Sequence, residues 1–147
     1  MWPKWHLLYS FIFVYVIVYF FQFSIFAGAV IFLSSIFIDI DHILFYSIKE
    51  RNFNLFKFWS WSKINQDKYK KLSKFERDKL KKPYFIFHSI EFIIILIIFS
   101  FFNKIFLWIL AGFLFHLVLD YIALIYEKEH FSIKFSQIWL WFRNKDK

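Results

Sequence analysis

Three pairs of ionisable residues interrupt long apolar runs at helical spacing. Asp39 and His42 are three apart, His88 and Glu91 are three apart, and His116 and Asp120 are four apart. Residues three or four apart share a helix face, so each pair can present an imidazole and a carboxylate to one side. A seventh group, Asp41, would point some 200° away from Asp39 at about 100° per residue. It must stand behind the ligands, lie near the headgroups or sit on a distorted turn. The chain has no cysteine, so three imidazoles and three or four carboxylates form a purely nitrogen–oxygen donor set. Such a set suits Zn, Mn or Fe(II), whereas carboxylates alone would suit Mg or Ca. Six ligands exceed what one catalytic zinc uses, because that ion keeps a position open for water. Two metals sharing a bridging carboxylate would use them all. So would one metal backed by carboxylates that hold the histidine rings. The expected ligands of one or two divalent ions, zinc foremost, are Asp39, His42, His88, Glu91, His116 and Asp120. Asp41 or Glu91 is the carboxylate expected to act as general base.

The elements that must position these groups are apolar helices. Of 147 residues, 60% are hydrophobic and 27% aromatic, against about 45–50% apolar for a soluble domain. Residues 5–48 hold two carboxylates and no Lys or Arg. These runs exclude a disordered chain, a disulfide scaffold and a plain cytosolic enzyme. A helix needs about 20 apolar residues to cross a bilayer. Residues 7–22, 24–48, 84–102 and 105–126 are the four expected spans of an all-α integral membrane protein, a single membrane domain. The first turn is the weakest boundary: Gln22 and Ser24 are its only polar candidates, with Ala27-Gly28-Ala29 as the rival. Ala27-x-Ala29 also fits a signal-peptidase site, but the preceding apolar run is longer than the usual 7–15 residues or so.

Charge sets the orientation. Residues 49–82 carry twelve of the nineteen Lys and Arg, the chain after residue 126 carries five, and Lys4 and Lys104 complete the count. Four spans then put eighteen cations on one side, so both termini and the basic loop 49–83 are expected in the cytoplasm of a multi-pass cell-membrane protein. From those cytoplasmic ends the six paired residues fall roughly 6–15 Å deep at about 1.5 Å per residue. Three helices thus carry their polar pairs at one level. Within the loop, Phe53–Trp61 is aromatic and suits an interface, and Asp67–Lys82 reads as a charged helix. In the tail, Phe131, Phe135, Ile138, Trp139 and Phe142 form one apolar stripe. Residues 131–143 are expected as an amphipathic helix, lying in the interface or packed on the bundle.

The order Asp39-Ile-Asp41-His42, then His88-Ser89, then Gly112-x-x-x-His116-x-x-x-Asp120 resembles the membrane-bound, metal-dependent hydrolase family. Its members are small multi-span proteins with a DxDH motif, a central His-Ser and a late HxxxD. The resemblance covers roughly residues 30–125. It implies a metal centre and, more weakly, hydrolysis. The chain departs from the pattern at Ile38, where family members carry Pro before DxDH. It departs again before His88, where Pro83 takes a histidine position and Phe87 replaces Thr. Glu91, one turn after His88, is the carboxylate able to substitute for the missing histidine.

Taken together, the expected function is a membrane-embedded hydrolase acting at the cytoplasmic leaflet on a lipid ester or phosphoester. The bilayer is its medium, and anionic headgroups meet the basic loop at about 1 kcal/mol per cation. Nucleic acid is not expected, since cations beside a bilayer are explained by topology and lipid. Ion or proton transport would use the same pairs but also needs polar residues towards the far face, where spans one and three offer only Ser10 and Ser100. A non-catalytic metal-binding membrane protein is the other alternative.

Overall fold

The computed structural model describes residues 3–127 and 136–145, and among these the secondary structure is entirely helical. Helix α1 runs Pro3–Phe20, α2 Ile25–Phe37, α3 Ile40–Glu50, α4 Leu55–Lys71 and α5 Lys74–Lys79. A single 3-10 turn, Ile86–His88, precedes α6 (Ile90–Ser100), α7 (Lys104–Tyr126) and α8 (Gln137–Lys145).

Among the described residues two helical segments, not four, are long and apolar enough to cross a membrane: Ile25–Glu50 and Lys104–Tyr126. The first expected span is a shorter apolar helix, Trp5–Phe20. The expected third span keeps its α-helix only from Ile90 to Ser100, about 16 Å at 1.5 Å per residue. Pro83 lacks an N–H, and Ser89 caps α6 by accepting from the Phe92 N–H at 3.4 Å. Both hold the chain out of α-helix ahead of Ile90.

The first turn closes at the polar pair. Gln22 adopts a left-handed φ of 56°, its amide donates to the Tyr19 carbonyl at 2.7 Å, and Ser24 caps α2 through the Ala27 N–H at 3.1 Å. The charged helix expected over residues 67–82 is divided. Its first part belongs to α4, which starts within the aromatic segment at Leu55, and a capping box at Ser73 and Glu76 starts α5.

Helix α7 is the hub, packed against α2 and α6, with α1 covering α2 and touching α7. The buried core is Ile38, Ile93, Leu96, Leu110, Phe113 and Leu117. Gly112 lets α7 meet α2 backbone to backbone: a Cβ there would overlap Ser34 Oγ and the Ile31 carbonyl.

The tail helix begins and ends later than expected, at Gln137 and Lys145; residues 131–135 of the expected helix lie outside the described residues. Its packed face is also different. Leu140 and Asn144 are buried, while Ile138, Trp139 and Phe142 of the expected stripe are exposed. α8 therefore docks on the protein through one face and turns the apolar stripe outward.

Candidate metal centre

The centre starts from a break in a helix. The rod from Ile25 to Glu50 is interrupted by a turn at Ile38–Asp39. Ser34 and Ser35 donate back to the Ile31 and Phe32 carbonyls at 3.0 and 2.7 Å, a pattern that bends helices. The Asp39 N–H then donates to the Ile36 carbonyl at 3.2 Å, three residues back and not four. This releases the Ser35 carbonyl from its usual helical partner. His116 fills the place: its Nδ1 lies 2.7 Å from the Ser35 oxygen. A proton on Nδ1 leaves Nε2 with its lone pair free to bind a cation.

His88 is set the same way by a different group. Its Nδ1 lies 3.1 Å from Asp41 Oδ2, which also accepts the Phe87 N–H at 3.2 Å. The break resolves the position of Asp41, since α3 starts a new helical phase after Asp39. Asp41 reaches the cluster from behind His88, where its Oδ2 meets the Nδ1 of that ring.

The two Nε2 atoms turn inward on two carboxylate oxygens. His88 Nε2 is 3.6 Å from Asp39 Oδ1 and 3.5 Å from Asp120 Oδ2. His116 Nε2 is 3.5 Å from Asp39 Oδ1 and 3.6 Å from Asp120 Oδ2. Nitrogen and oxygen alternate around a ring whose four edges all exceed the ordinary 2.7–3.2 Å or so of an N–H···O bond. They approach the separation of about 3.3–3.4 Å between ligands that share a tetrahedral ion at 2.0–2.1 Å. His116 Nε2 is fully buried and has no hydrogen-bond partner among the described residues. A buried acceptor of this kind is costly unless something satisfies it. The donor set fits a divalent cation with a preference for nitrogen and oxygen.

Two residues stand at the margins of this ring. His42 Nε2 is 3.7 Å from Asp39 Oδ1, and its ring rests on Phe85 with centroids 4.0 Å apart. Its side chain is 29% exposed, against 0% for His88 and His116, so it faces the way in. His6, from the first turns of α1, was absent from the expected set. Its Nε2 is 3.3 Å from Asp120 Oδ1, and its ring stacks on His116 at 4.0 Å and 11°. Three overlapping groups result: His6, His116 and Asp120; Asp39, His88 and His116; Asp41, His42 and His88. In each, one donor atom per residue lies within 4.8 Å of the others.

Glu91 does not join them. Its carboxylate accepts Ser136 Oγ at 2.5 Å and the backbone N–H groups of Gln137 and Ile138 at 3.2 Å. It caps α8 from a distance, where a negative charge also meets the positive end of the helix. Among the described residues, none of the three donor groups includes it.

A cleft of about 1920 Å³ opens from the centre, with His6, Asp39, His42 and Asp120 in its wall. The same wall includes lysines from the loop and from α8. Compared with protein-family models, with curated proteins and with solved structures, the chain finds no match.

Proposed function

We propose that the chain is a membrane-embedded, metal-dependent hydrolase whose centre opens to the cytoplasmic leaflet and acts on a lipid ester or phosphoester, in line with the family it resembles. One observation carries the reading: two imidazole nitrogens and two carboxylate oxygens alternate at 3.5–3.6 Å, and each has a partner behind it. Asp41 stands behind His88, the Ser35 carbonyl behind His116, and His6 behind Asp120. His42 flanks Asp39. That arrangement favours one ion with an orienting outer layer over two ions.

The membrane setting is supported by two helices of spanning length. It is supported too by outward apolar side chains along α1, α6 and α7, such as Phe11, Ile98 and Ile122, which soluble monomers rarely expose in such extent. A bound divalent ion would polarise an ester oxygen and make water acidic enough to ionise near pH 7. His42, the ring that faces the cleft, is the group positioned to manage the proton. Water's oxygen bonds to the carbonyl carbon or phosphorus, the ester bond to the leaving oxygen breaks, and the proton passes from water through His42 to that oxygen.

Elemental analysis of detergent-purified protein tests this directly. Wild type should carry about one equivalent of Zn, Mn or Fe, lost in His116→Ala, and should hydrolyse a member of a lipid-ester panel that His42→Ala does not. Metal retained in full by His116→Ala would overturn the ligand assignment, and metal without any hydrolysis would leave a binding protein.

A further inference from the structure

The cleft carries a charge asymmetry that the metal centre does not need. Six lysines line it: Lys49, Lys68, Lys71, Lys81, Lys82 and Lys145. They come from α3, α4, the segment before the 3-10 turn, and α8. Away from the centre its wall holds one carboxylate, Glu127, which is paired with Lys70 at 3.0 Å. Between the charges the wall is aromatic and aliphatic, with Phe45, Trp61, Leu80, Phe85, Leu124 and Trp141 among its residues.

Lys82 stands apart from the other five. It is 6% exposed, whereas the rest of that set are exposed. Its Nζ meets the Tyr69 hydroxyl and sits 4.4 Å above that ring. Its backbone is held from both sides by one side chain: Asn144 Oδ1 accepts the Lys82 N–H at 3.1 Å, and Asn144 Nδ2 donates to the Lys82 carbonyl at 2.9 Å. A buried ammonium is costly to desolvate, and here a buried amide fixes the backbone that carries it. Lys82 is also close to the chemistry. Phe85, whose ring lies on His42, is three residues on, at most about 11 Å of chain.

We infer that the cleft binds an anionic phospholipid, with Lys82 recognising its phosphate and the aromatic wall taking its acyl chains. This rests on the proposed function and names its substrate class. The cleft exceeds the 300–1,000 Å³ or so that holds a drug-sized ligand, which suits an amphiphile. The outer lysines would draw negative headgroups from the leaflet, and Lys82 would discriminate among them by a charged hydrogen bond made out of bulk water.

Binding to the as-purified protein in neutral detergent tests the inference, read by the fluorescence of the cleft tryptophans. The probes are dioctanoyl phosphatidate, dioctanoylglycerol and inorganic phosphate. Phosphatidate should bind about tenfold or more tightly than dioctanoylglycerol, and more tightly than phosphate. Lys82→Met should lose about tenfold for phosphatidate only, with Lys82→Arg retaining most of it and metal content unchanged in both. Equal affinity for phosphatidate and dioctanoylglycerol would overturn the inference, as would phosphate binding as well as phosphatidate, and the wild-type comparison stands even if Lys82→Met fails to fold. A metal-free protein that still prefers phosphatidate would sink the hydrolase reading and keep the lipid site.

Discussion

His116 Nδ1 lies 2.7 Å from the backbone carbonyl of Ser35, a carbonyl that an unbroken α2–α3 helix would have used for itself. The break and the placing of His116 are thus one feature. The turn at Ile38–Asp39 aims Asp39 at the centre and also frees the oxygen that fixes the tautomer of a histidine 81 residues away.

The outer partners should matter almost as much as the ligands. Asp41→Asn keeps an acceptor near His88 Nδ1 but removes its charge, and His6→Ala removes the partner of Asp120. Each should weaken metal affinity by about 10–100-fold while the stoichiometry stays at about one. Competition with a calibrated chelator measures this. Loss of one of two equivalents in His6→Ala would establish a second ion instead.

Gly112→Ala should destabilise the bundle by about 1–3 kcal/mol, because the new Cβ meets the Ile31 carbonyl and Ser34 Oγ in a helix pair with no slack. Gly28→Ala should cost less. Its Cβ meets only side-chain atoms, Val18 Cγ2 at 2.6 Å and Val14 Cγ1 at 3.1 Å. Thermal unfolding of both variants in one detergent ranks them. The reverse order would show that the α2–α7 approach is not the tight one.

Glu91→Ala should leave metal content untouched and loosen α8, at a cost of about 1 kcal/mol for a lost cap. Hydrogen exchange at Gln137 and Ile138 should rise. Metal lost from a variant whose α8 stays protected would return Glu91 to the ligand set.

The Glu76 carboxyl lies below the ordinary glutamate range because the Ser73 hydroxyl, and next the Ser73 backbone N–H, donate to it. A lowered folded pKa gives stability that is present above the unfolded value of about 4.3 and lost as pH falls through the folded value. The start of α5 should therefore be intact at pH 7 and fray only in acid below about pH 4. Glu76→Gln should remove that dependence, and the Ser73 amide shift against pH reports both.

Spacing alone put Asp39, His88, His116 and Asp120 at one level, and the structure brings these four side chains together. Spacing went wrong where helix arithmetic ran across a break. His88 closes a 3-10 turn and Ser89 caps α6, so three residues from His88 to Glu91 do not mean one face. Asp41 was turned by the interruption at Asp39, which the absent proline did not announce. His6 had no acidic partner within a turn, and its place beside Asp120 depends on how α1 crosses α7. The length of α6 was hidden by an apolar run that extends past both its ends.

Asn144 grips the backbone of Lys82 as a neighbouring strand would, and it does so across 62 residues. The clasp ties the segment that leads into His88 to the last helix, using none of the side chains that form the ring of Asp39, His88, His116 and Asp120. Losing the grip of Asn144 would loosen that wall of the cleft and leave every residue of the ring in the chain.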